Sequence, residues 1–290
     1  MDQAPPEIVR VDLSPAILQL KTLGIANVMA FDFFTKPSEE SMVKALEILR
    51  SLKIIDDHGN LTKTGSKIND FPLDPKLTVA LLESGTLLAN LDKEKFGCVD
   101  EMLSLVAMIS SEPIFQPMRD GKGLVKTKKK IAAKEGDHLT LLNVYKFYHK
   151  VHSRAEKSKF CAEFKLIEKS ILNAIHLRET LEKLLYKEGV DIKKSDNDTE
   201  GILRCVCTGY FQNAAQRQPD GTYQVISSRE IVLLHPTSIL NAVHPEWVIF
   251  HEILKSGQSG HSYIRNVSEI SIDWLTELAP DYYQDKKAEI

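Results

Sequence analysis

The sequence predicts an α+β chain of several units. Helices with one short hairpin come first, a long run of helices follows, and short strands close the chain. Three observations carry this. Apolar residues recur at helical spacing through most of residues 14–188. Period-two alternation with turn residues appears only after residue 220. A proline-rich joint, Phe71-Pro72-Leu73-Asp74-Pro75, and a polar stretch, 189–199, interrupt the pattern. The expected division is 1–75, 76–188 and 189–290, which suits a chain of 290 residues.

In order, Pro5 and Pro6 favour an extended start. Ser14 as N-cap, Pro15 at the first helical position and Gly24 as a stop predict a short helix over 15–23. Ser38-Glu39-Glu40 opens a second helix. Lys53-Ile54-Ile55 and Leu61-Thr62 flank the turn-rich 56–60 and predict a hairpin. Helices followed by one short hairpin suggest a winged helix over about 8–75.

Helical patterns then cover 76–89, 96–110, 124–133, 139–151 and 159–186, an all-α helix bundle. The stretch 136–150, GDHLTLLNVYKFYHK, is apolar on every side and predicts a buried central helix with Asp137 as its N-cap. One more helix fits 200–208. Strands are expected at 223–227, 230–234, 247–254 and 263–270. A barrel of this size is most often an OB-like β-barrel.

The hydrophobic fraction of 43% and charged fraction of 27% are those of an ordinary globular chain. No apolar run approaches a membrane span of ~18 residues. The four cysteines form no CxxC pair, which fits a reducing compartment. The net charge of -3 is unevenly spread. Seven basic residues lie between Arg119 and Lys134 against the single acid Asp120, whereas the tail from Asp273 is acidic. No GxxxxGK[ST] loop, GxSxG elbow or metal-ligand spacing is present, so no catalytic residue, metal ligand or cofactor site is expected in this chain.

Two groups of residues suit a strand of nucleic acid. Lys126, Lys128, Lys129 and Lys130 adjoin the polar stripe Thr140 and Asn143 of the central helix. In the strand-rich part, Asn213, Arg217, His235, Thr237 and Arg265 mix with Tyr210 and Phe211, a composition suited to stacking bases and meeting phosphates. Each has a plainer reading: lysine runs are often solvated surface, and Tyr210 and Phe211 equally suit a core. An interaction scaffold whose basic patch meets an acidic protein is the alternative to nucleic acid. A DNA-reading winged helix is disfavoured, because Lys44 and Arg50 face three acids, Glu39, Glu40 and Glu47.

The runs PEIVR, LQLKTLGI, ALEILRSL, LTKTG, FPLDP, GDHLTLLNVY, GYFQNAA, HPTS, WVIFHEI, YIRNVSEI and WLTELAP follow one another from Pro6 to Pro280. In that order they closely resemble the C-terminal region of the spliceosomal-type DEAH-box RNA helicases. Gln216 stands where the family often has Arg, and Arg217 follows it. The resemblance implies a winged helix, a ratchet-like helix bundle and an OB-like domain, without catalysis of their own. It further implies motor domains outside this chain that bind ATP and magnesium, and an RNA-remodelling ATPase of pre-mRNA splicing in the nucleus. Single-stranded RNA, the motor domains and a G-patch-type activator are the partners it implies.

Overall fold

The computed structural model describes residues 8, 12–85, 96–117, 121–195, 198–256 and 260–284. The chain divides into two compact units, residues 1–79 and 80–290. The expected end of the helix at 86–89 and the acidic tail beyond 284 lie outside the described residues.

The first unit holds α1 (Ser14–Thr22), α2 (Glu39–Ser51), a minimal hairpin and α3 (Lys63–Asn69). Ser14 is not the cap of α1: it lies inside the helix, and its N–H and hydroxyl both donate to Asp12 Oδ1 at 2.8 and 2.6 Å. Ser38 does cap α2, accepting the Ser41 N–H at 3.1 Å. Met42, Ala45, Ile48 and Leu49 form its buried face. The hairpin closes through one bridge, Ile55 to Leu61, with Asp56 Oδ1 accepting the N–H groups of His58 and Asn60 in the turn. Thr62 then caps α3, a helix the sequence reading lacked.

α4 (Pro75–Glu83) follows the double proline. The second unit contains α5 (Val99–Ser110), α6 (Gly121–Lys128), α7 (Asp137–Lys150), α8 (Arg154–Phe164), α9 (Glu168–Lys187) and α10 (Thr199–Tyr210). α5 packs against both α7 and α9, and every residue from Val99 to Ile109 except Asp100 is buried. It is therefore α5, not α7, that sits at the centre of the bundle, because α7 exposes Phe147, His149 and Lys150 at its end. Arg178 of α9 pairs with Asp100 and donates to Ser104 Oγ at 3.1 Å, holding α9 on α5. The single helix expected over 159–186 is two helices, broken at Lys165, whose φ of 55° is left-handed.

The polar stretch after α9 is not a free connector. Asp100 N–H donates to Lys193 O at 3.0 Å, and Ser195 N–H donates to Glu101 Oε2 at 3.1 Å, so it runs against the start of α5. Cys98, at the N-cap of α5, stands 3.5 Å from Cys205 of α10, both thiols buried.

The barrel comprises β1 (Ala214–Arg217), β2 (Tyr223–Val225), β3 (Ile231–Leu234), β4 (Trp247–Lys255) and β5 (Ser262–Glu269). It closes in the order β1-β2-β3-β5-β4, with β3 and β5 parallel and the other pairs antiparallel. Its core includes Tyr223, Val225, Val232, Leu234, Val248 and Phe250, from alternating positions of β2, β3 and β4, with Ile264 and Val267 of β5. Tyr223 donates its hydroxyl to Pro245 O at 2.6 Å, and burial pushes its pKa up to about 12. Two helices, α11 (Ile272–Leu278) and α12 (Pro280–Gln284), follow, and Tyr283 donates to Phe211 O at the end of α10.

The start of α7 joins bundle to barrel. Gly136 is its N-cap, and Asp137 is the first helical residue rather than the cap. The Asp137 carboxylate accepts from Ile239 N–H at 3.1 Å and Val267 N–H at 3.0 Å. His138 Nδ1 lies 2.9 Å from Ser268 Oγ. Burial lowers the His138 pKa to about 4, so this imidazole is neutral at pH 7. Gly136 bridges Ser268, and Glu269 N–H donates to Glu135 O at 2.8 Å. A Cβ on Gly136 would stand 2.4 Å from Val267 O and 2.5 Å from Ser268 Cα, and its φ of 139° is open to glycine almost alone. Changing Gly136→Ala should therefore cost about 2–5 kcal/mol, strain and backbone clash together. Gly221→Ala, also at positive φ but with nothing near the new Cβ, should cost only about 1 kcal/mol. Urea titrations of the two variants check the contrast.

Candidate nucleic-acid interface

The eleven residues expected to meet RNA do not share one face. The lysine run divides according to helical phase. Leu124 and Lys128 lie one turn apart on α6 and both turn inward, at 3% and 7% exposure. Lys126, Lys129 and Lys130 are exposed. Lys130 reaches Glu163 of α8 at 2.8 Å, but both side chains stand in solvent, where such a pair contributes little.

Lys128 is built into the junction. Its Nζ donates to Thr237 O at 3.0 Å and lies 4.1 Å above the Phe115 ring. Burial lowers its pKa, against the pull of Asp137 and Glu112, while Arg265 adds to the lowering. Burial likewise raises the Glu112 pKa, opposed by Arg265 and Lys128. Arg265 is paired with Glu252 on the neighbouring strand β4. His235 Nδ1 is 2.7 Å from Thr237 Oγ1, and burial, then Arg265 and Lys128, lower its pKa. The structure thus brings four of the expected residues, Lys128, His235, Thr237 and Arg265, into one cluster. That cluster also contains Glu112, Asp137 and Glu252. Arg265 is already paired with Glu252 and the Lys128 ammonium with Thr237 O, so it is a buried polar joint rather than an open anion site.

The polar stripe of α7 faces the preceding loop. Thr140 is 1% exposed, donates to Gly136 O at 2.7 Å and accepts from Ala133 N–H at 3.1 Å. Asn143 donates to Ile131 O at 3.0 Å. In the free chain these two side chains are bonded to backbone groups of residues 131–136. Tyr210 and Phe211, at 2% and 5% exposure, are core residues, not a stacking face. Asn213 donates to His251 O at 3.0 Å and so fastens the turn before β1 to β4. Arg217 is exposed, with one guanidinium N–H on His244 O at 2.7 Å.

Chemically, the surface offers exposed ammonium groups on and just after α6, and a guanidinium at the end of β1. Glu112, Phe115 and Asp137 were missed as members of the joint, because their partners are distant in sequence. The i,i+4 pair Leu124 and Lys128 was the one local signal that this lysine turns inward. Among the described residues no group of three or more His, Cys, Asp or Glu side chains could hold a metal ion. No helix among them is long and apolar enough to cross a membrane.

Replacing Lys128→Met would leave Thr237 O without its donor and remove a positive charge near Glu112 and Asp137. The expected cost is about 1–3 kcal/mol. Thermal melting checks this, and an unchanged melting temperature would contradict the structural role.

Residues 202–282 match the family described as oligonucleotide/oligosaccharide-binding (OB)-fold, and residues 74–141 match the helicase associated domain (HA2), ratchet-like. The chain is 41% identical over 282 residues to the probable ATP-dependent RNA helicase DHX35 of Homo sapiens, covering 96% of this chain and 38% of that protein. The same protein from Pongo abelii is 41% identical over 282 residues, with 96% of this chain and 37% of that one covered. The pre-mRNA-splicing factor ATP-dependent RNA helicase DEAH10 of Arabidopsis thaliana is 38% identical over 296 residues, 98% of this chain and 40% of that protein. The chain therefore spans about two-fifths of the length of these curated relatives. The two domains, the closed five-stranded barrel and these identities together make the chain a C-terminal region of the DEAH-box RNA helicase family.

Proposed function

We propose that this chain is the non-catalytic C-terminal part of an ATP-dependent RNA helicase and binds single-stranded RNA weakly and without sequence preference. The observation that carries the reading is the position of α6. Lys128 pins it to Thr237 of the barrel, which leaves Lys126, Lys129 and Lys130 on the surface within a helical turn of that contact. Ammonium groups there, with Arg217 on β1, meet phosphates in any sequence, because phosphates carry no base information. Of the other expected contacts, Thr140, Asn143, Asn213, His235, Thr237 and Arg265 shape this surface by holding the backbone and the joint beneath it. Any direct contact they make with RNA requires their present bonds to open.

The wider role follows the relatives' names. ATP and magnesium belong to motor domains outside this chain, and RNA held by the bundle and barrel is coupled to them. Residues 12–75 serve as a winged helix reduced to helices and a one-bridge hairpin, the region on which a G-patch-type activator docks. A nuclear place in pre-mRNA splicing is the setting supported by the splicing-factor relative.

The test is the salt dependence of binding to oligo-U and to a mixed-sequence strand. Each cation that meets a phosphate of single-stranded RNA contributes about 0.7 to the slope. Lys126→Ala, Lys129→Ala and Lys130→Ala together should lower the slope by about 2, equally for both strands, with melting unchanged. Unchanged affinity and slope, both in this chain and in one carrying the motor, would favour the scaffold reading, in which the same lysines meet an acidic protein.

A further inference from the structure

Away from the lysines, the second unit carries a groove of the opposite character. Two adjoining cavities, about 310 and 320 Å³, share Glu135 and Thr199 as walls. The first is bounded by Leu203, Ile270 and Trp274, and the second by Leu139, Leu142 and Ile202. Together they line the seam where α7 and α10 meet the end of β5 and the start of α11. The floor is apolar and Trp274 is half-buried at one end.

Three carboxylates, Glu135, Glu200 and Glu269, line the first cavity. Glu200 is 3.5 Å from Arg204, which also pairs with Glu277 at 2.7 Å. Glu135 and Glu269 have no side-chain hydrogen bond or ion pair among the described residues. Their backbones are joined by the Glu269 N–H to Glu135 O bond, which fixes the two carboxylates on one wall. Among the described residues no basic side chain lines this cavity, and Lys146 lines only the second.

We propose that this groove docks a basic peptide segment of a partner protein. Apolar side chains of the segment would seat on the Leu139, Leu142 and Ile202 floor. An arginine or lysine would pair with Glu135 and Glu269 and lie against the Trp274 ring, a combination of carboxylates and an aromatic face that suits a guanidinium. The same two unpaired carboxylates repel a phosphate backbone, so RNA is the wrong occupant here. The groove thereby sorts partners by charge: nucleic acid at the α6 lysines, a cationic peptide at this seam. This inference stands apart from the RNA reading and does not depend on it.

The probe is a fluorescein-labelled peptide of alternating arginine and leucine, with a glutamate-leucine peptide as control, titrated against the full chain by fluorescence anisotropy. The basic peptide is expected to bind and the acidic one not. The double variant Glu135→Gln, Glu269→Gln should weaken the basic peptide at least tenfold, and its melting should match the unchanged chain because the backbone bond is retained. Labelling with 5-fluorotryptophan adds a local readout. The basic peptide should shift the Trp274 resonance, assigned by Trp274→Phe, and leave buried Trp247 unmoved. Equal binding by chain and double variant would overturn the proposal, since the peptide would then be held elsewhere. A Trp274 shift caused by oligo-U that the double variant strengthens would also overturn it, by making the seam a nucleic-acid site.

Discussion

The contact on which the second unit depends is the seat of Gly136, Asp137 and His138 against β5. A helix start carries free N–H groups and a favourable field for an acid. Here the acid is turned outward instead, so that one carboxylate accepts two barrel N–H groups, those of Ile239 and Val267. Such charge-assisted bonds in a buried place hold two elements in one register. Gly136 makes the approach possible by having no Cβ where Val267 and Ser268 pass. Bundle and barrel consequently form a single compact unit rather than two beads.

That joint determines which charges remain for a partner. Lys128, Arg265, Glu112, Glu252 and Asp137 are gathered at it, and burial there lowers the Lys128 pKa and raises that of Glu112, each shift opposed by the opposite charges nearby. The exposed charges lie beyond it and are sorted by sign. Lys126, Lys129 and Lys130 stand on one side of the α6 contact, while exposed Glu269 and half-buried Glu135 stand at the seam with α10. A chain with a net charge of only -3 can in this way present two fields of opposite sign.

Much of this was legible in the sequence. The hairpin at 54–62 was found because Asp56, Gly59 and Asn60 are turn residues with local bonds. Strands β2 to β5 were found by alternation. β1 was missed because Ala214-Ala215-Gln216-Arg217 has no β-branched or aromatic residue, and its strand state comes from pairing with β2 and β4. The break at Lys165 was missed because no glycine or proline marks it. Asp137 suits a cap by local sequence, but its partners lie 102 and 130 residues away. Of the candidate site, the basic run was visible, but its division into one buried and three exposed lysines is a matter of helical phase, and Thr140 and Asn143 answer to a loop that periodicity does not describe.

The most direct measurement is hydrogen exchange on the chain carrying Asp137→Ala. If the carboxylate joins bundle and barrel, amides in β5 and at Ile239 should exchange at least about tenfold faster, together with those at the start of α7. Exchange confined to the first turn of α7, with β5 as protected as before, would contradict the account.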